Sequence, residues 1–198
     1  MTLLDNGGSA LKVLKNGAFT FKTALASGAA YDVTISVQPS GETCTVTAGS
    51  GTVGTKDITT VAVSCEPKTY TIGGTLSGMG TGASVTLLDN GGDSLKVTAN
   101  GTFTFSTPVA SGSAYKVTVG TQPAGETCTV TAGAGKVVAA NVTTVVVTCK
   151  LLTYTIGGSV TGLSTGASVT LLDNGTDSLK VTANGTFKFT TALDSGAT

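Results

Sequence analysis

The sequence predicts an all-β protein made of tandem β-sandwiches. Three observations carry that expectation. Strand formers such as Thr and Val dominate, and no long stretch keeps the 3.6-residue apolar period of a helix. Whole segments recur at one fixed spacing without insertions, with LLDNGG at Leu3 and Leu87 and LLDNGT at Leu171. Each full unit also carries a cysteine pair at constant spacing, Cys44 with Cys65 and Cys128 with Cys149.

The repeat sets the domain boundaries. Residues 70–114 align with 154–198 without a gap, at 32 of 45 identical positions. Residues 1–69 align with 85–153, at 42 of 69 positions and again without a gap. The expected domains are therefore 1–69, a repeat lacking its first strand; 70–153, a complete repeat; and 154–198, the N-terminal part of a third. Met1 stands where Val85 and Val169 stand in the other copies. That phase suits a piece of a longer tandem array. The competing expectation is a short subunit whose incomplete ends are completed by neighbouring chains through strand addition.

Within the middle repeat the pattern reads as seven strands. Residues 70–77 (YTIGGTLS) put Tyr70, Ile72 and Leu76 on one face. Residues 84–88 and 94–99 flank Asp89-Asn90-Gly91-Gly92, a hairpin signal. Residues 102–106 follow Asn100-Gly101, read as a second tight hairpin because Asn-Gly suits the type I′ turn. Residues 114–119, 126–132 and 142–149 complete the set. Period-2 alternation turns Val85, Leu87, Leu95, Val97, Phe103, Phe105, Tyr115, Val117 and Val119 inward. Seven short strands punctuated by turns make an immunoglobulin-like sandwich.

A repeat of this length buries a modest core, and the cysteines add to it. If the last two strands form a hairpin, pairing Cys128 with Cys149 also sets Val130 opposite Val147 and Ala132 opposite Val145. That register keeps both cysteines in phase with the apolar positions and predicts one cross-strand disulfide per unit, with buried free thiols as the alternative. A disulfide in every unit points to an oxidising, extracellular location. Only Glu66-Pro67-Lys68-Thr69 or Lys150-Leu151-Leu152-Thr153 separates a last cysteine from the next opening tyrosine. Leu151 and Leu152 are expected to pack at that domain junction, which lacks Gly/Ser flexibility.

IGGTLSGMGTGASVTLLDNGGDSLKVTANGTFTFSTPVASGSAYKVTV resembles the carboxypeptidase-regulatory-like and Cna-B-type modules of bacterial surface proteins. The shared features are a G-A-x-V-x-L strand, an N-G-x-F-x-F strand and a Y-x-V-x-V strand that follows a Gly, covering more than half of each unit. GETCTVTAG…VTTVVVTC resembles the disulfide-bearing end of tandem repeats in secreted Gram-negative proteins. The resemblance implies a prealbumin-like or immunoglobulin-like sandwich used as a spacer, stalk or fibre module, and carries over no catalytic residue. Some Cna-B modules form Lys–Asn isopeptide bonds beside a buried acid. Lys96, Lys116, Glu126 and Asn141 are the nominees here, although the first repeat has Asp32 for Lys116 and Asp57 for Asn141.

The same composition narrows function. There is no His, so no Ser-His-Asp triad, Cys-His dyad or imidazole metal site can be built. Eleven basic and eleven acidic residues cancel, and the scattered cations offer no patch for a nucleic acid. Asp89, Asn90 and Asp93 resemble a short Ca²⁺ loop but read better as a turn, since no bidentate Glu follows and Ser9 replaces Asp93 in the first repeat. Neither an enzyme nor a cofactor protein is expected. Leu4, Leu88 and Leu172 fall on the outward side of their strands, giving either an apolar association stripe or a bulge that turns them inward. The expected function is a structural extracellular filament or cell-surface stalk whose partners are copies of itself, with no membrane span in this segment and glycans possible on its Thr and Ser. The alternative is the spacer region of an adhesin or ligand-binding surface protein.

Overall fold

A computed structural model describes residues 1–197 of the chain. All regular elements among them are β-strands, and no helix is long and apolar enough to cross a membrane. The first repeat holds β1 (Thr2–Asp5), β2 (Ser9–Lys12), β3 (Ala30–Val37), β4 (Glu42–Thr47), β5 (Ser50–Thr52) and β6 (Ala62–Pro67). The middle repeat adds β7 (Thr69–Tyr70), β8 (Ile72–Ser77), β9 (Val85–Asp89), β10 (Asp93–Val97), β11 (Gly101–Thr104) and β12 (Val109–Ala110). It continues with β13 (Ala114–Thr121), β14 (Glu126–Thr131), β15 (Ala134–Lys136) and β16 (Val142–Leu151). The third contributes β17 (Thr153–Val160), β18 (Val169–Asp173), β19 (Asp177–Val181) and β20 (Gly185–Asp194).

Two four-stranded sheets make up the middle repeat, in the orders β10-β9-β13-β15 and β11-β8-β16-β14. Each buries alternate residues, as a pleated strand with one dry face must. Val85, Leu87, Val97, Tyr115 and Val117 are buried from the first sheet, and Ile72, Leu76, Phe103, Val145 and Val147 from the second. The chain clusters into two compact units. One comprises Met1–Gly73, Thr104–Lys116 and Gly133–Thr144; the other comprises Gly74–Phe103, Val117–Ala132 and Val145–Thr198.

β9 and β10 are joined through Asn90 and Gly91, both at positive φ (49° and 72°), closed by the Gly92 N–H donating to the Asp89 carbonyl at 3.1 Å. Asn tolerates the left-handed region better than other non-glycine residues, and Asn6 and Asn174 repeat the conformation at 50° and 47°. The Asn100-Gly101 expectation is corrected. β10 and β11 belong to different sheets, so this dipeptide is a crossover, not a hairpin turn. Asn100 Oδ1 accepts the Met79 N–H at 3.0 Å and its Nδ2 donates to the Met79 carbonyl at 2.8 Å, so the side chain acts as one rung of a strand. β12 and β15 escaped the periodicity reading because two or three residues are too few to show alternation.

The first and third repeats are partial versions of the same arrangement. The first has the sheet β2-β1-β3-β5 and the pair β4-β6; the third has the pairs β17-β20 and β18-β19. Residues 18–21, the counterpart of the β11 region, form no strand in the first repeat. In the middle repeat Phe105 N–H donates to the Ile72 carbonyl of the opening strand, a partner that residues 1–69 do not contain.

Candidate functional site: the inter-repeat junction

Strand pairing places both cysteine pairs directly across an antiparallel strand pair, though not the simple hairpin expected, since β5 and β15 of the other sheet lie in the connections. Cys128 faces Cys149 with Val130 facing Val147, and Cys44 faces Cys65 with Val46 facing Val63. Both pairs are disulfide-bonded, and no free cysteine remains among the described residues. Two clusters of metal-ligand type, Glu42 with Cys44 and Cys65 and Glu126 with Cys128 and Cys149, coincide with the disulfides. A sulfur in a disulfide is not a thiolate, so each cluster offers an ion only one carboxylate.

A glutamine that sequence reasoning passed over orders each pair. Gln122 Oε1 accepts the Cys128 N–H at 2.7 Å and its Nε2 donates to the Cys128 carbonyl at 3.0 Å. Gln38 does the same for Cys44, at 2.8 and 2.9 Å. Their recurrence shortly before each Glu-Thr-Cys was visible; that the amide would mimic a neighbouring strand was not.

The junction between repeats is built from backbone. A single residue, Lys68, separates β6 from β7, and a single residue, Leu152, separates β16 from β17. Lys68 N–H donates to the Gly41 carbonyl at 2.8 Å, and Lys68 O accepts the Ser111 N–H at 2.8 Å. Leu152 N–H donates to the Gly125 carbonyl at 2.9 Å, and Leu152 O accepts the Ser195 N–H at 2.7 Å. Every participant is displaced from its counterpart by the same one repeat length. One connecting peptide thus ties a turn of the repeat behind it to a turn of the repeat ahead. Short ladders extend the tie, Thr69 facing Ala110 and Tyr70 facing Val109, then Thr153 facing Asp194 and Tyr154 facing Leu193.

Gly41 and Gly125 make this approach possible. Both have positive φ, 78° and 71°. A Cβ on Gly41 would collide with Ser111 Oγ, and one on Gly125 with Ser195 Oγ. Ser111 Oγ is itself a donor to the Val138 carbonyl. Leu151 and Leu152, expected to pack here, are 46% and 37% exposed, and the Leu152 peptide carries both hydrogen bonds of its joint.

The outward leucines differ among themselves. Leu4 and Leu88 are half-buried, while Leu172 is 62% exposed. The register between β13 and β9 shifts between Val119 and Thr121, so Gly120 is a bulge. A Cβ on Gly120 would sit 2.9 Å from the Leu88 side chain, which therefore lies over this glycine. The bulge is on the neighbouring strand, not on the leucine strand itself. Leu172 sits in the two-stranded sheet β18-β19, which has no such neighbour among the described residues.

Other candidates resolve into scaffolding. Asp5 Oδ1 accepts the Asp32 N–H at 3.3 Å and Asn6 Nδ2 donates to the Ala30 carbonyl at 2.9 Å, so the repeated Asp-Asn pair serves the adjacent strand. Of the isopeptide nominees, Asn141 Oδ1 accepts the Thr71 N–H at 3.1 Å and Glu126 Oε1 accepts the Gly80 N–H at 2.8 Å. Lys96 and Lys116 are exposed. Comparison with known proteins finds no family model that matches the chain and no curated relative. What stands is an all-β protein of several small sheets with two disulfides, a combination that points to an oxidising compartment.

Proposed function

We propose that the chain is a length of extracellular structural repeat, a stalk or filament of immunoglobulin-like β-sandwiches joined at a constant interval and made of copies of one unit. The junction carries this reading. The same two backbone hydrogen bonds occur at both joints, each centred on a single connecting residue. A flexible tether has no use for that arrangement, whereas a spacer that must hold a fixed step from repeat to repeat does. The disulfide in each closing strand pair suits service outside the cell, and a neutral surface with only 11% charged residues suits close self-packing. No catalytic role or cofactor enters the proposal.

Electron microscopy of the native material tests it. A regular axial repeat on the order of 30–40 Å, the span of one short-stranded sandwich with its loops, is the expected result. Beads at variable spacing would overturn the fixed step and leave the segment as a flexible linker.

A further inference from the structure

One acidic side chain in the middle repeat is buried beyond what its partners justify. Glu126 is 5% exposed and only half of its carboxylate is used. Oε1 accepts the Gly80 N–H at 2.8 Å, while Oε2 is buried with no hydrogen-bond partner among the described residues. Gly80 closes so tightly on Oε1 that a Cβ there would collide with it. A buried acceptor left unpaired costs about 1–3 kcal/mol, and carboxylates are kept inside proteins chiefly where they are paired or bind a metal.

The groups beside it are sulfurs. Glu126 and Cys128 are two residues apart on β14, so both side chains leave the same face of the strand, and Cys149 stands directly across on β16. A carboxylate oxygen of Glu126 and the two Sγ atoms lie within 4.8 Å of one another, and all three residues are buried. The backbone beneath them is held independently of the S–S bond. β14 pairs with β16 along its whole length, and the Gln122 amide holds both the N–H and the carbonyl of Cys128. Glu42, Cys44 and Cys65 bring the same residue types within the same distance in the first repeat, with Gln38 in the place of Gln122.

We propose that reduction of the Cys128–Cys149 disulfide turns this cluster into a binding site for a soft divalent cation, Zn²⁺ or Cd²⁺, held by two thiolates and the Glu126 carboxylate. The proposal goes beyond the stalk reading and does not depend on it. A phosphine and one water open the S–S bond, leaving two thiols and the phosphine oxide. The ion then displaces one proton from each thiol to solvent and takes Oε2 as its third ligand. Two sulfurs and one oxygen suit a thiophilic metal, whereas Ca²⁺ and Mg²⁺ take oxygen ligands. Three protein ligands leave the fourth tetrahedral position to a water. The closing strand pair thus has two alternative clips, a covalent bond when oxidised and an ion when reduced.

Cd²⁺ titration of the phosphine-reduced 198-residue chain, freed of phosphine under argon, is the test. Thiolate-to-cadmium charge-transfer absorbance reads binding, and circular dichroism follows the β-structure. The Cys44→Ser/Cys65→Ser variant isolates the middle repeat. It is expected to take one ion when reduced and to show no such absorbance when oxidised. Adding Glu126→Gln, which keeps an oxygen for the Gly80 N–H, is expected to weaken binding by at least the roughly tenfold that loss of an outer-shell partner costs. In the chain with all four cysteines, Glu126→Gln is expected to weaken one of two bound ions and leave the other. A reduced chain that gives no charge-transfer absorbance, whether or not it keeps its β-structure, overturns the proposal. So does Glu126→Gln binding Cd²⁺ as tightly as its parent, which would leave a bare dithiol and no place for the carboxylate.

Discussion

Gly41→Ala is expected to damage two things at once, and the structure supplies a control that separates them. Gly41 has φ of 78°, and its Cβ would collide with Ser111 Oγ. Forcing alanine into the left-handed region costs about 1–2 kcal/mol. Moving Ser111 aside sacrifices its hydrogen bond to the Val138 carbonyl, worth roughly 1 kcal/mol. The total is about 2–3 kcal/mol. Gly28 has a similar φ of 84° with nothing within 4 Å of a Cβ, so Gly28→Ala should cost the backbone part alone, about 1–2 kcal/mol. Urea denaturation measures the totals, and native-state amide exchange localises them. The Lys68 and Ser111 amides should exchange about tenfold faster or more in Gly41→Ala and at the parent rate in Gly28→Ala, a factor of ten corresponding to about 1.4 kcal/mol. Adding Ser111→Gly to Gly41→Ala should restore part of the stability by removing the obstruction. Equal destabilisation by both alanines, with the Ser111 amide unchanged in each, would refute the close approach at the junction.

Replacing Cys128 and Cys149 together by alanine should cost about 3 kcal/mol for a bridge spanning 21 residues, read as a lower urea midpoint. Asn100→Ala leaves the N–H and carbonyl of buried Met79 without their side-chain partner. A loss of about 1–3 kcal/mol is expected, and a smaller one for Asn184→Ala, which serves the half-buried Leu163. Val145→Ala should cost about 2 kcal/mol at a fully buried site. The same change at its half-buried counterpart Val61 should cost less than half as much by thermal denaturation, and equal losses would contradict the difference in burial between the two sites.

Much of this fold was legible because its signals are local. Alternation placed Val85, Leu87, Tyr115 and Val117 inward, and the phase of the cysteines within their strands supplied their pairing, which the strand register repeats. Asn100-Gly101 misled because a dipeptide suited to a tight turn is also suited to a crossover; which sheet the next strand joins is decided by Met79, 21 residues away. The junction was hidden for a like reason. Gly41, Lys68 and Ser111 are distant in sequence, and they meet through peptide groups that every residue possesses. Side-chain reasoning could point to the Leu151-Leu152 pair, but the peptide of Leu152 has no signature in the sequence. Parity placed Leu88 on the outward side, with an apolar stripe or a bulge as the two readings; the half-buried Leu88 lies over a glycine bulge on the next strand.

Thr71 O accepts the Val142 N–H, Gly74 lies against the Val145 carbonyl and Gly78 against the Cys149 carbonyl, so β8 and β16 run parallel, with a mechanical consequence that bears on the proposed stalk. Tension along the chain enters the middle repeat at the N-terminal end of β8, next to Lys68, and leaves at the C-terminal end of β16, next to Leu152. Pulling two parallel strands from opposite ends loads their hydrogen bonds together in shear, whereas pulling an antiparallel hairpin from its open end breaks them one at a time. A repeat wired this way resists extension until the whole β8–β16 contact fails. The disulfide then limits how far the broken repeat can stretch. Cys128 and Cys149 close a 21-residue separation between β14 and β16, a loop that stays closed while the rest of the repeat extends. Single-molecule stretching in the presence of a reductant should therefore lengthen each unfolding step of the middle repeat by about 70 Å, the reach of that segment at roughly 3.4 Å per residue. It should leave the force of the first event nearly unchanged, because the pull still enters β16 at its C-terminal end, beside Cys149, whether or not the bridge is closed. Steps of equal length with and without reductant would show that the disulfide loop does not hold the slack. A gradual low-force extension would show that the opening strand peels away and that the parallel contact carries no load.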